Sequence, residues 1–140
     1  MDNTLSNNEF LLTDQTTIAG LFKNFQYAYT FKDTLIYGKL LSRDFTFMFR
    51  DYEQLKDVTW GREEEMKVNY GLFENTQRLD LIWNNIVAIS GDSTNIIRSF
   101  NLTVTFNPTD VIFIDGKVNL SLRKENNVWK IVNWIDESNF

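Results

Sequence analysis

The chain has 140 residues, a net charge of −5, and 43% hydrophobic and 15% aromatic residues, the size and apolar content of one domain with a true core rather than of a disordered tract. It contains no cysteine and no histidine, which excludes thiol nucleophiles, disulfides, Cys/His zinc sites and a Ser-His-Asp triad, and leaves Asp, Glu, Tyr, Lys and Ser for any catalysis. The acid excess without a Lys/Arg cluster argues against nucleic acid and anionic membranes as partners, no apolar run approaches the ~20 residues of a membrane span, and no motif calls for a cofactor or a metal.

Residues 1–16 are polar and rich in Asn, Thr and Ser. They read as a flexible leader before a domain over 17–140, with no internal repeat and no linker. Such a leader is compatible with a cytoplasmic chain and equally with an exported one whose signal has been trimmed.

The first periodic segment is helical. Ile18, Leu21, Phe22, Phe25, Ala28 and Tyr29 form one apolar stripe at helical spacing, and Thr17 stands before it as N-cap. After a break near Thr30 to Lys32, Asp33 caps a shorter helix carrying Leu35, Ile36, Leu40 and Leu41, ended by Ser42-Arg43-Asp44. Phe45, Phe47 and Phe49 then alternate with Thr46, Met48 and Arg50, the period of a strand. Arg50 to Asp57 is charged and reads as irregular. Gly61 to Asn75 reads as a third helix, with Met66, Tyr70 and Phe73 at helical spacing and Glu63, Glu64 and Glu65 as a solvated cap near the positive end of the dipole.

From Arg78 the period becomes two. Leu79 to Ile89 and Ile96 to Phe106 read as paired strands around Ser90-Gly91-Asp92, and Pro108 stops the second. Val111 to Ile114 and Lys117 to Arg123 flank Asp115-Gly116, a two-residue hairpin signal. Glu125-Asn126-Asn127 turns the chain into a last strand, Trp129 to Asp136, apolar on both faces. The order is helix, helix, strand, helix, then four antiparallel strands, an α+β architecture in which a sheet curls around helices. A last strand with two apolar faces implies a cover on its outer side, most simply a second copy of the chain, hence a homodimer through the sheet.

This order resembles the NTF2-like superfamily, the cystatin-like α+β cone shared with SnoaL-like and ketosteroid-isomerase-like proteins. The residues that carry it are FQYAYTFKD (25–33), SRDFTFMFRD (42–51) and VWKIVNWID (128–136). WGREEE (60–65) and WIDESNF (134–140) resemble a narrower bacterial group, some of whose members are exported lipoproteins. The resemblance covers the chain from about Thr17 onward and implies a pocket between the first helix and the concave sheet. It does not choose between enzymes and binding modules.

A ketosteroid-isomerase-like mechanism needs a carboxylate base, a Tyr and a protonated Asp. The resemblance places the base on Asp51. The other two positions fall on Phe25 and Val118, which donate no hydrogen bond, and Tyr29, one turn after Phe25, is the substitute donor on the same face. Arg50 next to Asp51 is expected to hold that carboxylate ionised. A dehydratase-like set needs His, which is absent.

Arg98, within an apolar strand, is either the anchor for a weakly anionic ligand or a structural partner of Asp80 or Asp136. Trp60, Trp83 and Trp134 are either pocket walls or core. The expected binding set is therefore Phe25, Tyr29, Asp51, Trp60, Arg98, Val118 and Trp134. The expected function is non-catalytic binding of a small apolar or weakly anionic molecule, with an isomerase or dehydratase-type lyase using Asp51 and Tyr29 as the alternative.

Overall fold

A computed structural model describes residues 11–137 as three helices against a six-stranded sheet. Helices α1 (Ile18–Phe31) and α2 (Thr34–Leu40) precede strands β1 (Leu41–Asp51) and β2 (Lys56–Gly61). Helix α3 (Arg62–Glu74) follows, then β3 (Arg78–Ile89), β4 (Asn95–Asn107), β5 (Asp110–Glu125) and β6 (Val128–Asp136).

The helix boundaries follow from their caps. Thr17 Oγ accepts from the Gly20 amide at 2.9 Å to open α1. Lys32, at φ 50°, closes it in the left-handed conformation, its amide directed to the Ala28 and Tyr29 carbonyls. Asp33 Oδ1 then accepts from the Ile36 amide at 3.1 Å and starts α2. Helix α2 gives way to β1 at Leu41, so Ser42-Arg43-Asp44 belong to the strand instead of ending the helix.

The sheet runs β2-β1-β6-β5-β4-β3, and β1 lies parallel to β6 while every other pair is antiparallel. Three expectations are corrected here. The segment after Arg50 is not wholly irregular: Lys56–Gly61 forms β2 and pairs with β1, where Arg50 meets Asp57 at 3.3 Å. The sheet is mixed, because the chain returns at its end to lie beside β1. Asp115-Gly116 is not a turn. It lies within the 16-residue β5, where Asp115 faces Asn101 and Gly116 faces Phe100 of β4. No glycine has the positive φ that a two-residue hairpin needs, and Asn101 Nδ2 donates to Asp115 Oδ1, so the long partner strand overrides the local turn signal. Two-residue turns do occur at Pro108-Thr109, between β4 and β5, and at Asn126-Asn127, between β5 and β6, the latter at φ 51° and 69°.

The core lies between α1, α2 and the concave face, with Leu21, Phe25, Tyr37, Phe45, Ile96, Leu120 and Ile131 all but inaccessible. Part of the polar leader is tied into this body. Gln15 is buried, donates to the Lys39 and Trp129 carbonyls at 3.1 and 2.8 Å, and accepts from Asn24 at 2.9 Å. Residues 1–10 of the leader, and 138–140 of the C-terminal run, lie outside the described residues. No helix among the described residues is long and apolar enough to cross a membrane.

The last strand is not the main exposed apolar surface. It sits between β1 and β5, with every described side chain at least half-covered. Exposed apolar residues gather instead on β3 and β5: by alternation Ile82, Val111 and Phe113 share the convex face, and Phe113 is 76% exposed.

Candidate functional site

Alternation along the strands sends one set of side chains into the cone. Leu81 and Trp83 of β3, Phe100 and Leu102 of β4, Ile114 and Val118 of β5, and Trp134 and Asp136 of β6 line a cavity of about 430 Å³. Phe47 and Phe49 of β1 with Trp60 of β2 close one side. Phe25 and Tyr29 of α1 close another, and Glu65 stands in the wall from α3.

The rings make a continuous aromatic lining. Phe47 and Trp60 stack at 4.8 Å with an 18° interplanar angle. Trp134 meets Phe47 and Phe25 edge-on at 5.2 and 5.6 Å, and Phe25 meets Trp83 at 5.1 Å. Two indole groups are satisfied: Trp60 Nε1 donates to Glu65 Oε1 at 2.7 Å and Trp83 Nε1 to the Phe22 carbonyl at 3.0 Å. Trp134 Nε1 and Asn69 Oδ1 are buried without a partner.

Glu65 is the polar centre of this lining. It is 6% exposed, and its other oxygen accepts from the Tyr37 hydroxyl at 2.5 Å. Burial pushes its carboxyl above the usual glutamate range, while the hydrogen bonds from Tyr37 and Trp60 pull it back. Tyr37 is raised well above an ordinary tyrosine, first by burial and then by the nearby charges and its bond to Glu65.

Tyr29 is 8% exposed, and no described residue hydrogen-bonds its hydroxyl. Its pKa is raised by burial first, then by the negative charges of Glu65 and Asp136. Three acidic groups therefore bear on one apolar space.

The structure gathers Phe25, Tyr29, Trp60, Val118 and Trp134 on the cavity wall, with Trp83 beside them. It does not bring Asp51 or Arg98 there. Asp51 stands at the β1–β2 turn, where Oδ1 accepts from the Glu53 and Gln54 amides at 3.0 and 3.1 Å. Its neighbour Arg50 reaches across the ladder to Asp57 and does not pair with it.

Arg98 lies over the ring of Phe22, 4.7 Å from its centre, and 5.7 Å from that of Trp83. Its Nε donates to the Asn84 carbonyl at 2.8 Å. The expected ion pairs of Arg98 do not form among the described residues: Asp80 is held by Arg78 at 3.0 Å.

Glu65 is the residue that sequence reasoning missed. The triplet Glu63-Glu64-Glu65 is a solvated cap at its first two members only. The signal was present four and eight residues further on. Glu65, Asn69 and Phe73 recur every four residues and form the buried stripe of α3, whereas Tyr70 is 55% exposed.

No family model and no curated protein sequence matches the chain. Solved structures do. An NTF2-like protein of unknown function from Shewanella baltica has 11% identity and a TM-score of 0.62, over 100% of this chain and 98% of that one. A scytalone dehydratase-like protein from Novosphingobium aromaticivorans has 13% identity and a TM-score of 0.74, over 99% and 87%. A protein from Catenulispora acidiphila with a ketosteroid-isomerase-like fold, in complex with trimethylamine, has 14% identity and a TM-score of 0.63, over 86% and 85%. At these identities the likeness establishes the fold: this chain is an α+β cone of the NTF2-like type.

Proposed function

We propose that this NTF2-like cone binds a small, largely apolar molecule in its aromatic cavity and does so without transforming it. The carrying observation is the cavity itself, about 430 Å³ walled by Phe, Trp and Tyr rings, within the size range of small-molecule sites. The trimethylamine complex of the Catenulispora acidiphila protein supports the reading that cones of this type admit small organic molecules.

The alternative, an isomerase or dehydratase-type lyase, keeps Tyr29 but loses Asp51 to the hairpin turn. Glu65 and Asp136 are the carboxylates on the cavity wall, and each oxygen of the buried one, Glu65, already holds a donor. That favours a fixed recognition group over a base that must collect a proton.

Native mass spectrometry of freshly purified protein, then denaturation and identification of released small molecules, tests the binding reading. An Ile114→Trp variant, which extends an indole into the cavity, is expected to lose the bound mass while keeping its thermal unfolding transition. Retention of the bound molecule by that variant would place it elsewhere.

A homodimer through the sheet is the assembly proposed with this function. Its support is the exposed convex patch of Ile82, Val111 and Phe113. Light scattering is expected to give twice the 16.5 kDa chain mass, and Phe113→Glu is expected to give the monomer.

A further inference from the structure

We propose that the cavity's ligand carries an ammonium group, held between the carboxylates of Glu65 and Asp136 and the faces of the surrounding rings. The inference deepens the binding function above and rests on it.

The wall chemistry has one sign. Its ionisable side chains are Glu65, Asp136 and Tyr29, and no Lys or Arg is among the described residues that line it. The neighbouring cation on the concave face is Arg98, opposite Val118, whose other neighbour is Asp136. Arg98 is spent on the Phe22 ring and the Asn84 carbonyl outside the cavity. An anion entering this space would meet two carboxylates in a medium of low dielectric, where like charges repel strongly. A purely apolar ligand would cover the Glu65 carboxylate, whose partners Tyr37 and Trp60 are both neutral, without offering a counter-charge. A cation meets both needs.

The rings add to the same preference. Aromatic faces carry negative potential, and cations bind over them best when water is excluded. Phe47 and Trp60 present a stacked pair, and Phe25, Trp83 and Trp134 supply further rings around the same space. Tyr29 provides an independent observation. It is more than nine-tenths buried on the cavity wall, and its hydroxyl has no protein partner among the described residues. An ammonium N–H supplies the donor that its oxygen lacks.

Glu65 is built for this part. The Tyr37 hydroxyl at 2.5 Å and the Trp60 indole at 2.7 Å fix both of its oxygens in place. The carboxylate is thus pre-oriented, and little side-chain freedom is lost when a cation arrives.

The test is calorimetric titration of the full chain with 2-phenylethylamine, 2-phenylethanol and phenylacetate, which share a ring and differ in charge. The expected order is amine over alcohol over carboxylate, with about tenfold or more between the first two. Glu65→Gln and Asp136→Asn are each expected to bring the amine down toward the alcohol and to weaken the amine far more than the alcohol. In Glu65→Gln the amide oxygen still accepts from Trp60, and its NH₂ group donates to the Tyr37 oxygen, so the wall keeps its shape. Circular dichroism melts of both variants check this. Equal affinity for amine and alcohol, or tightest binding of phenylacetate, overturns the cation and leaves the binding function standing. Binding of none of the three, with no molecule released from the native protein, overturns both.

Discussion

The hairpin tip after β1 and the first turn of α3 each carry a carboxylate, fourteen residues apart in sequence, and the fold gives them opposite surroundings. At the tip, Asp51 organises a turn: its oxygen ties down the Glu53 and Gln54 amides, and its neighbours Tyr52 and Leu55 are 80% and 71% exposed. On α3, Glu65 is 94% covered, faces an apolar cavity and is gripped by a phenol and an indole. The residue type is nearly the same. Burial and the donors around it make the difference, so the position of a carboxylate along the chain is a poor guide to its chemistry.

The largest expected effect lies at the cavity. Phe25 is 2% exposed and touches Tyr29, Tyr37, Trp83 and Trp134. Phe25→Ala is expected to cost about 3–5 kcal/mol in urea unfolding, nearer the lower figure because one side of the ring already faces open space. Next is Tyr37→Phe, which removes the donor to Glu65 and leaves one oxygen of a buried carboxylate without a partner. The expected loss is about 1–3 kcal/mol. Tyr70→Phe on the exposed side of α3 is the control and is expected to change nothing measurable. Equal losses from the two would dissolve the contrast between buried and exposed faces of that helix.

A smaller effect is read from pH. Burial raises the Glu65 pKa in the folded chain above the 4.5 of a free glutamate. The folded state then holds this proton more tightly than the unfolded state does. The stabilising contribution is fully present below about pH 4.5 and is lost as pH rises through the raised value. Wild type should therefore fall relative to Glu65→Gln as pH increases across that window, measured as unfolding midpoints at stepped pH. Parallel curves for the two would mean that the wall is wetter than its geometry implies.

Most of the fold was legible because its signals are repetitive. The α1 stripe, the Thr17 and Asp33 caps, the alternation of Phe45, Phe47 and Phe49, and the long strands after Arg78 all carry their own period. What escaped was decided by partners far away in sequence. β2 alternates only over Val58 to Gly61 and begins with exposed Lys56 and Asp57, too short a pattern to stand out in the sequence, and it forms because β1 offers it a ladder. Asp115-Gly116 has the composition of a turn and the conformation of a strand because β4 runs past it on one side.

The site divides in the same manner. The aromatic walls could be read from the inward-facing positions of regular strands. Glu65 could not be read from a resemblance that directs attention to the end of the first strand, and an acid triplet at a helix start has an adequate surface explanation. Its four-residue spacing to Asn69 and Phe73 is the physical clue. A single helix face rarely buries a polar pair unless something on the far side needs it.

The smallest effect sharpens the comparison from the other end. In Asp51→Ala the Glu53 and Gln54 amides lose their acceptor at an exposed tip, and water takes its place. The expected cost is about 0.5–1 kcal/mol, with Leu55 at φ 55° the position most prone to relax once the turn loosens. Because the tip lies outside the cavity wall, titration of this variant with 2-phenylethylamine is expected to superimpose on wild type. The ligand has no contact through which the tip's loosening would be felt, and the β1 residues that do line the wall, Phe47 and Phe49, remain held by their ladder to β2. A fall in affinity comparable to that of Glu65→Gln would require the tip to fold over the cavity mouth, and the two carboxylates would then belong to one site instead of two environments.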